Sequence, residues 1–321
     1  MKRIVCIICA AVFALTARAE IRLPAFFADG MVLQQQATVR IWGTAAAGAK
    51  VTLTAGWDNR TYTCKAASNG SWALKVKTPA AGGPYEIRIS DGEEIVLRDV
   101  QLGEVWICSG QSNMEMPVKG FLSQPVEGAF EMILDAGNDN VRAFTVARRL
   151  SDAPQADCGG KWVTASPETV PDISSVAYLF ACRLHRTLKV PVGIVVAAWG
   201  GTSILGWLPS GEIAKTISKE ECARILAVNG SDKNHPAKLY NGMIAPIAGY
   251  AARGFIWYQG EANVLPMLTV HCRNSWSIHG AGAGAIRIWL FMPWRSLLTA
   301  MATGTRTPCR VRCWSKRRNG R

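Results

Sequence analysis

The stretch Val105-Trp106-Ile107-Cys108-Ser109-Gly110-Gln111-Ser112-Asn113-Met114 joins a short apolar run to a glycine-opened polar loop that carries a serine. A serine just past a buried strand is where many hydrolases hold their nucleophile. Two later segments repeat the layout. Val192 to Trp199 is apolar and runs into Gly200-Gly201-Thr202, and Gly254 to Tyr258 runs into Gln259-Gly260-Glu261-Ala262-Asn263. In an open parallel α/β sheet, ligands bind beyond the carboxyl ends of the strands, so the three loops are expected to converge on one crevice. Convergence would supply what acyl transfer needs. Ser112 is the hydroxyl, and the glycines and the asparagine are donors for the oxygen that turns negative in the tetrahedral intermediate.

Gly-Gln-Ser-Asn-Met, Trp-Gly-Gly-Thr and Trp-Tyr-Gln-Gly-Glu-x-Asn, in this order, resemble the sialate O-acetylesterase-like carbohydrate esterases of the SGNH hydrolase superfamily. Phe27 to Gln34, Gly103 to Trp106 and Leu239 to Pro246 are similar to the same family, so the resemblance runs from about residue 21 to residue 263. It implies that Ser112 is the nucleophile and that its own N–H is one oxyanion donor. The N–H of Gly201, or of Gly200, would be the second, and the Asn263 side-chain amide the third. Gln111, Asn113 and Glu261 would orient the site or contact substrate hydroxyls, although polar residues at loop starts also serve as turn formers and caps. The substrate implied is an O-acetylated sugar or glycan: acetylated sialic acid, or as the close alternative an acetylated plant polysaccharide such as xylan. No metal or organic cofactor is implied.

The family's fourth block is an Asp-x-x-His near the C-terminus, which supplies the general base and its orienting carboxylate, and it is missing from its expected place. His271 and His279 have Leu268 and Trp276 three places earlier. A literal Asp232-Lys233-Asn234-His235 precedes the third block instead of following it, in a polar loop where such a string arises by chance. His185, in the amphipathic stretch Val176 to Leu188, reads as a solvated or packing residue. Trp106, Trp199 and Trp257 read as core sooner than as sugar platforms.

After Asn263 the chain changes character. Residues 264–321 hold ten Lys plus Arg and no acid, which leaves 26 basic and 23 acidic residues in 1–263, so the excess charge belongs to the tail. Four Trp and three Cys accompany it, and no apolar period lasts. This composition suits an out-of-frame reading, with a basic tail for acidic partners as the alternative. With the tail set aside the charge no longer argues for nucleic acid. The expectation is therefore an esterase that lacks its base as written, with a non-catalytic, at most glycan-binding product as the alternative.

Lys2 and Arg3, an apolar run from Ile4 to Leu15 and Ala17-Arg18-Ala19 read as a cleaved secretory signal, giving a periplasmic or extracellular protein without stable membrane insertion. Cys64, Cys108, Cys158, Cys182 and Cys222 form neither a clear disulfide framework nor a zinc spacing, though one or two disulfides are compatible with them. Alternating runs at Thr38 to Trp42, Lys50 to Thr54 and Tyr85 to Ile89, with turns at Ser68-Asn69-Gly70, Ala81-Gly82-Gly83 and Asp91-Gly92, predict β structure. Helices are expected at Val126 to Asp135 and Val176 to Leu188. The fold class is α/β: an N-terminal all-β sandwich-like domain followed by an SGNH, flavodoxin-like, three-layer α/β/α hydrolase domain that is incomplete at its C-terminus. The divisions are 1–19 signal peptide, 20–100 β domain, 101–263 partial hydrolase domain and 264–321 aberrant basic tail.

Overall fold

The structure is a computed structural model, and it describes residues 20–259, apart from 217, 221–222, 224–226 and 228–231, together with residue 262. Eleven strands are present among these residues: β1 (Val32–Gln34), β2 (Thr38–Thr44), β3 (Lys50–Ala55), β4 (Arg60–Lys65), β5 (Ser71–Lys77), β6 (Gly82–Ser90), β7 (Glu94–Gly110), β8 (Asn138–Thr145), β9 (Trp162–Ala165), β10 (Val192–Ala198) and β11 (Gly254–Tyr258). The early strands form because their apolar residues recur every second position, which puts one face inward. In β5, Trp72, Leu74 and Val76 are buried while the residues between them are exposed. β2 and β5 pair as a two-stranded antiparallel sheet, and their inward residues share one buried cluster with Val51, Leu53, Ile87 and Ile89 of β3 and β6.

β7 is the longest strand, and its two ends do different work. Its first part runs antiparallel to β6, with Ser90 opposite Glu94. Its last part is flanked on both sides by parallel strands, β10 and β11, and β8 and β9 extend the sheet beyond β10. Burial follows this change. From Val100 to Gly110 every residue of β7 except Trp106 is buried, and all seven residues of β10 are buried, as expected of parallel strands covered on both faces.

Two helices matter for the site, α1 (Ser112–Glu115) and α3 (Ser175–Leu188), and a short helix α2 (Ala129–Leu134) lies between them in the chain. Ser174 caps α3 by accepting from the Ala177 N–H at 3.2 Å, and Lys189, at φ +58°, ends it. The stripe Ala177, Tyr178 and Ala181 is buried with Ile194 and Val196 of β10 and Ala143 of β8. His185, read from the sequence as a solvated or packing residue, sits in the last turn, where its Nδ1 lies 2.7 Å from the Val190 carbonyl and so carries the proton.

The mixed α/β architecture agrees with the fold class expected from the sequence. One turn assignment does not. Gly82 and Gly83 lie inside β6, where the pairing with β7 slips between Gly82 and Tyr85, so the glycines serve an irregular strand instead of a reversal. A side chain on Gly83 would come within 2.3 Å of the Gln101 amide oxygen. The cysteines Cys64, Cys108, Cys158 and Cys182 are free thiols, and burial pushes that of Cys158 up to about 12. No described helix is long and apolar enough to cross a membrane.

An aromatic group joins the β-rich half to the parallel sheet. Phe26 packs on Tyr250 at 5.3 Å and on Phe144 at 6.4 Å, Phe27 meets Trp42 at 4.9 Å, and Tyr250 donates to the Val32 carbonyl at 2.7 Å. Beside it Arg142, only 3% exposed at its side chain, donates to the Gly30 and Asp99 carbonyls and pairs with the Asp99 carboxylate at 2.9 Å. Replacing Arg142 with Met is expected to strand these acceptors and to cost roughly 2–4 kcal/mol in urea unfolding. A loss below about 1 kcal/mol would show that the tie between the two halves lies elsewhere.

Candidate active site

The carboxyl ends of three parallel strands finish level with one another. Ala198 of β10 and Tyr258 of β11 both lie opposite Gly110 of β7, one on each side, so the three loops singled out in the sequence start from one line. Backbone bonds carry the alignment past the strands: Trp199 N–H donates to the Gly110 carbonyl at 3.1 Å and Gln111 N–H to the Tyr258 carbonyl at 3.0 Å. Gly110 must be glycine for this. Its φ is +148°, and a Cβ there would stand 2.0 Å from the Tyr258 carbonyl oxygen.

Ser112 is therefore the first residue of α1, in the middle of the row and half-buried. Its N–H has no acceptor among the described residues, as befits the first turn of a helix. Gln111 is buried, and its side-chain oxygen accepts from the Ala262 N–H at 3.2 Å, tying the third loop to the first. Asn113 follows Ser112 on the same short helix, half-buried. Gly200 backs directly onto the serine, since a Cβ on it would lie 3.3 Å from Ser112 Cβ. Gly201, at φ +67°, makes the turn, and its N–H likewise has no acceptor among the described residues. Glu261 and Asn263 lie outside the described residues, as do His271, His279 and the basic tail.

Four residues not singled out as site residues hold this geometry. Glu115, one helical turn after Ser112, accepts the Gly200 N–H on Oε2 at 2.7 Å, and its other oxygen pairs with Arg148. The Arg148 guanidinium also lies 5.5 Å from the centre of the Trp199 ring. Lys233 donates to the Gly200 carbonyl at 2.5 Å, and Asn234 Oδ1 accepts the Ser203 N–H at 2.7 Å. The signal for Glu115 was its spacing of three from Ser112, which places both on one face of a helix. Lys233 and Asn234 were hidden inside the Asp-x-x-His string.

The outer residues of that string do other work. Asp232 is exposed and bonds Lys238 at 2.9 Å, which holds its carboxyl below the usual range, and His235 is exposed. Among the described residues neither His185 nor His235 hydrogen-bonds to Ser112. Of the tryptophans, Trp106 packs on Phe180 at 5.0 Å and Trp257 on Phe255 and Trp207 at 5.9 and 6.0 Å, as core residues do. A cavity of about 210 Å³ lies beyond the ends of β8 and β10, lined among others by Glu115, Thr145, Arg148, Ser174 and Ala198. The loop that presents Arg148 is braced from below. Asn241 Nδ2 donates to the Ser151 carbonyl at 3.2 Å, and a Cβ on Gly242 would stand 2.1 Å from the Arg149 carbonyl.

A serine at the carboxyl end of a central parallel strand, with unengaged N–H groups in its own loop and the next, is the arrangement that α/β hydrolases share. Comparison with known proteins narrows it. The model of the sialic acid-specific acetylesterase family of carbohydrate esterases matches residues 102–270, and the chain belongs to this family. It is 31% identical over 265 residues to the sialate O-acetylesterases of Homo sapiens and Pongo abelii, covering 76% of this chain and 49% of each relative. The chain thus spans about half the length of these curated relatives. Among solved structures, a carbohydrate acetylesterase from Xanthomonas citri superposes with a TM-score of 0.70 at 33% identity, over 79% of this chain and 55% of that one.

Gly110→Ala is expected to push β11 away from β7 and to lower stability by about 3 kcal/mol or more, read as a fall in the thermal midpoint. An unchanged midpoint would mean that the contact with Tyr258 does not hold the three loops level.

Proposed function

We propose that this chain is a carbohydrate O-acetylesterase in which Ser112 attacks the acetyl carbonyl, the sugar leaves as its hydroxyl with the proton the serine gives up, and water then hydrolyses the acetyl-enzyme to acetate and free Ser112. The observation that carries the reading is the pair of N–H groups, of Ser112 and of Gly201, that find no acceptor among the described residues beside a serine at the strand ends. Ser112 is half-buried and Gly201 exposed, so both N–H groups are open to an acceptor that enters from solvent, and a tetrahedral oxyanion is the acceptor that acyl transfer would bring to them. The Gly200 N–H is taken by Glu115, so Gly201 supplies the second donor of the motif. Asn263 would be the third, by the family motif, and Gln111, Asn113 and Glu261 would orient the site. The acetylated sugar would enter from the side of the Glu115 and Arg148 cavity. The relatives named sialate O-acetylesterase favour acetylated sialic acid, with acetylated xylan as the alternative.

A free serine hydroxyl is a weak nucleophile at neutral pH, and a histidine normally takes its proton during attack. Among the described residues none bonds Ser112 in that way. We read residues 264–321 as following a lost reading frame, so that the Asp-x-x-His pair would be coded in another frame. Without a base the rate would fall on the order of a thousandfold to a millionfold, while the oxyanion donors keep a residue of activity. Residues 1–19 would direct export to a periplasm or exterior.

Acetate release from O-acetylated sialic acid and from acetylated xylan tests the reading. Slow turnover that disappears in Ser112→Ala, with sialic acid preferred, is expected; turnover that survives Ser112→Ala would remove Ser112 as nucleophile. Glycan binding with no Ser112-dependent turnover at all would favour a non-catalytic product. Sequencing the gene from the Gly254 codon onward should recover, in a shifted frame, an acid-containing continuation with Asp-x-x-His. If no frame contains it, the frame-loss proposal fails.

A further inference from the structure

Two successive peptide units join Trp199 to Gly201, and they carry four polar groups. The Trp199 carbonyl accepts from Thr202 Oγ1 at 2.7 Å, the Gly200 N–H donates to Glu115 at 2.7 Å, and the Gly200 carbonyl accepts from Lys233 at 2.5 Å. The fourth group, the Gly201 N–H, has no acceptor among the described residues. A trans peptide holds its C=O and N–H on opposite sides of one plane. The ammonium that grips the Gly200 carbonyl therefore also sets the direction of the Gly201 N–H. Its charge draws electron density toward the carbonyl oxygen, which makes the N–H of the same amide a stronger donor.

The grips are themselves held. The Glu115 side chain is 14% exposed, and Arg148, paired with its second oxygen, lies against Trp199, the residue before the two glycines. The backbone at Lys233 is held by its neighbour Asn234, which accepts the Ser203 N–H, and it passes so close to Gly206 that a Cβ there would stand 2.7 Å from the Lys233 carbonyl. Glycine at 200 and 201 leaves the backbone free to turn. These contacts remove that freedom, and they do so from a helix on one side and a distant loop on the other.

We propose that Lys233 and Glu115 are positioning residues that aim the Gly201 N–H at the oxyanion and that Lys233 also polarises it. Neither touches the reacting atoms, and the proposal rests on the reading of Ser112 as nucleophile.

Glycine labelled with both carbonyl 13C and 15N isolates the peptide, because only Gly83, Gly160 and Gly201 follow another glycine in the sequence. In the full chain, Lys233→Met should move the Gly201 amide resonance while those of Gly83 and Gly160 stay in place and report an intact fold. Phosphonylation of Ser112 by a small alkyl fluorophosphonate should slow about tenfold to a hundredfold, the scale of a misplaced catalytic group. Lys233→Arg should recover most of that rate. Glu115→Gln, which keeps an acceptor for the Gly200 N–H, should react nearly as the parent does, and Glu115→Ala should not. A Gly201 resonance indifferent to Lys233→Met, or a Glu115→Gln as slow as Glu115→Ala, would overturn the proposal. Absence of Ser112 labelling in the parent would sink the nucleophile reading instead, and the Gly201 resonance would still decide whether Lys233 governs this peptide.

Discussion

The close passage of β11 and β10 on either side of Gly110 is the constraint on which the rest of the site depends. With Tyr258 and Ala198 both opposite Gly110, three loops far apart in the chain leave the sheet at one level, and Ser112 falls in the middle of them. A strand end that is one residue out of step would move a loop by about 3.3 Å, more than a hydrogen bond can span. Only a residue without a side chain allows the approach, since a Cβ at Gly110 would collide with the Tyr258 carbonyl. The buried faces of β7 and β10 then hold the register, because a slip of one residue would turn every side chain to the wrong face.

The loops are held locally by polar contacts and globally by packing. Glu115 and Lys233 take the N–H and the carbonyl of Gly200, while the aromatic group around Phe26 and Tyr250 and the buried Arg142 join the β-rich half to the back of the parallel sheet. The stretch Phe27 to Gln34, which carries part of the family resemblance, lies in this junction; Gln34 Oε1 accepts the Val105 N–H at 2.9 Å just as β7 turns toward the site. Leu239 to Pro246 has a similar part, bracing the loop that presents Arg148. Blocks that look like motifs of chemistry thus serve largely to hold Ser112 and Gly201 in place.

Much of this was legible in the sequence for simple reasons. The alternation in β2, β3 and β6 and the continuous apolar run of β10 announce half-buried and fully buried strands, and the position of Ser112 follows from the run before it. Gly82 and Gly83 were misleading because the same conformational freedom suits a turn and a slipped strand. Spacing puts Glu115 beside Ser112, but what Glu115 and Lys233 hold was not legible, because each acts on a backbone group 85 or 33 residues away, a relation that no local pattern encodes. The string Asp232 to His235 shows the converse: its outer residues match a catalytic spelling, yet Asp232 serves Lys238 and the inner pair serves the glycine loop. The chain belongs to the acetylesterase family, and the family match over residues 102–270 takes in all three loops.

The central claim is that the unengaged N–H groups of Ser112 and Gly201 form a hole for a tetrahedral oxyanion. A crystal structure of the protein after reaction with an alkyl fluorophosphonate addresses it directly, because the phosphonyl oxygen stands where the oxyanion would. The account predicts phosphorus bonded to Ser112 Oγ with that oxygen within about 3.1 Å of both nitrogens, the reach of a good N–H···O bond. Phosphorus on another residue, or an oxygen turned away from Gly201 toward solvent, would contradict it.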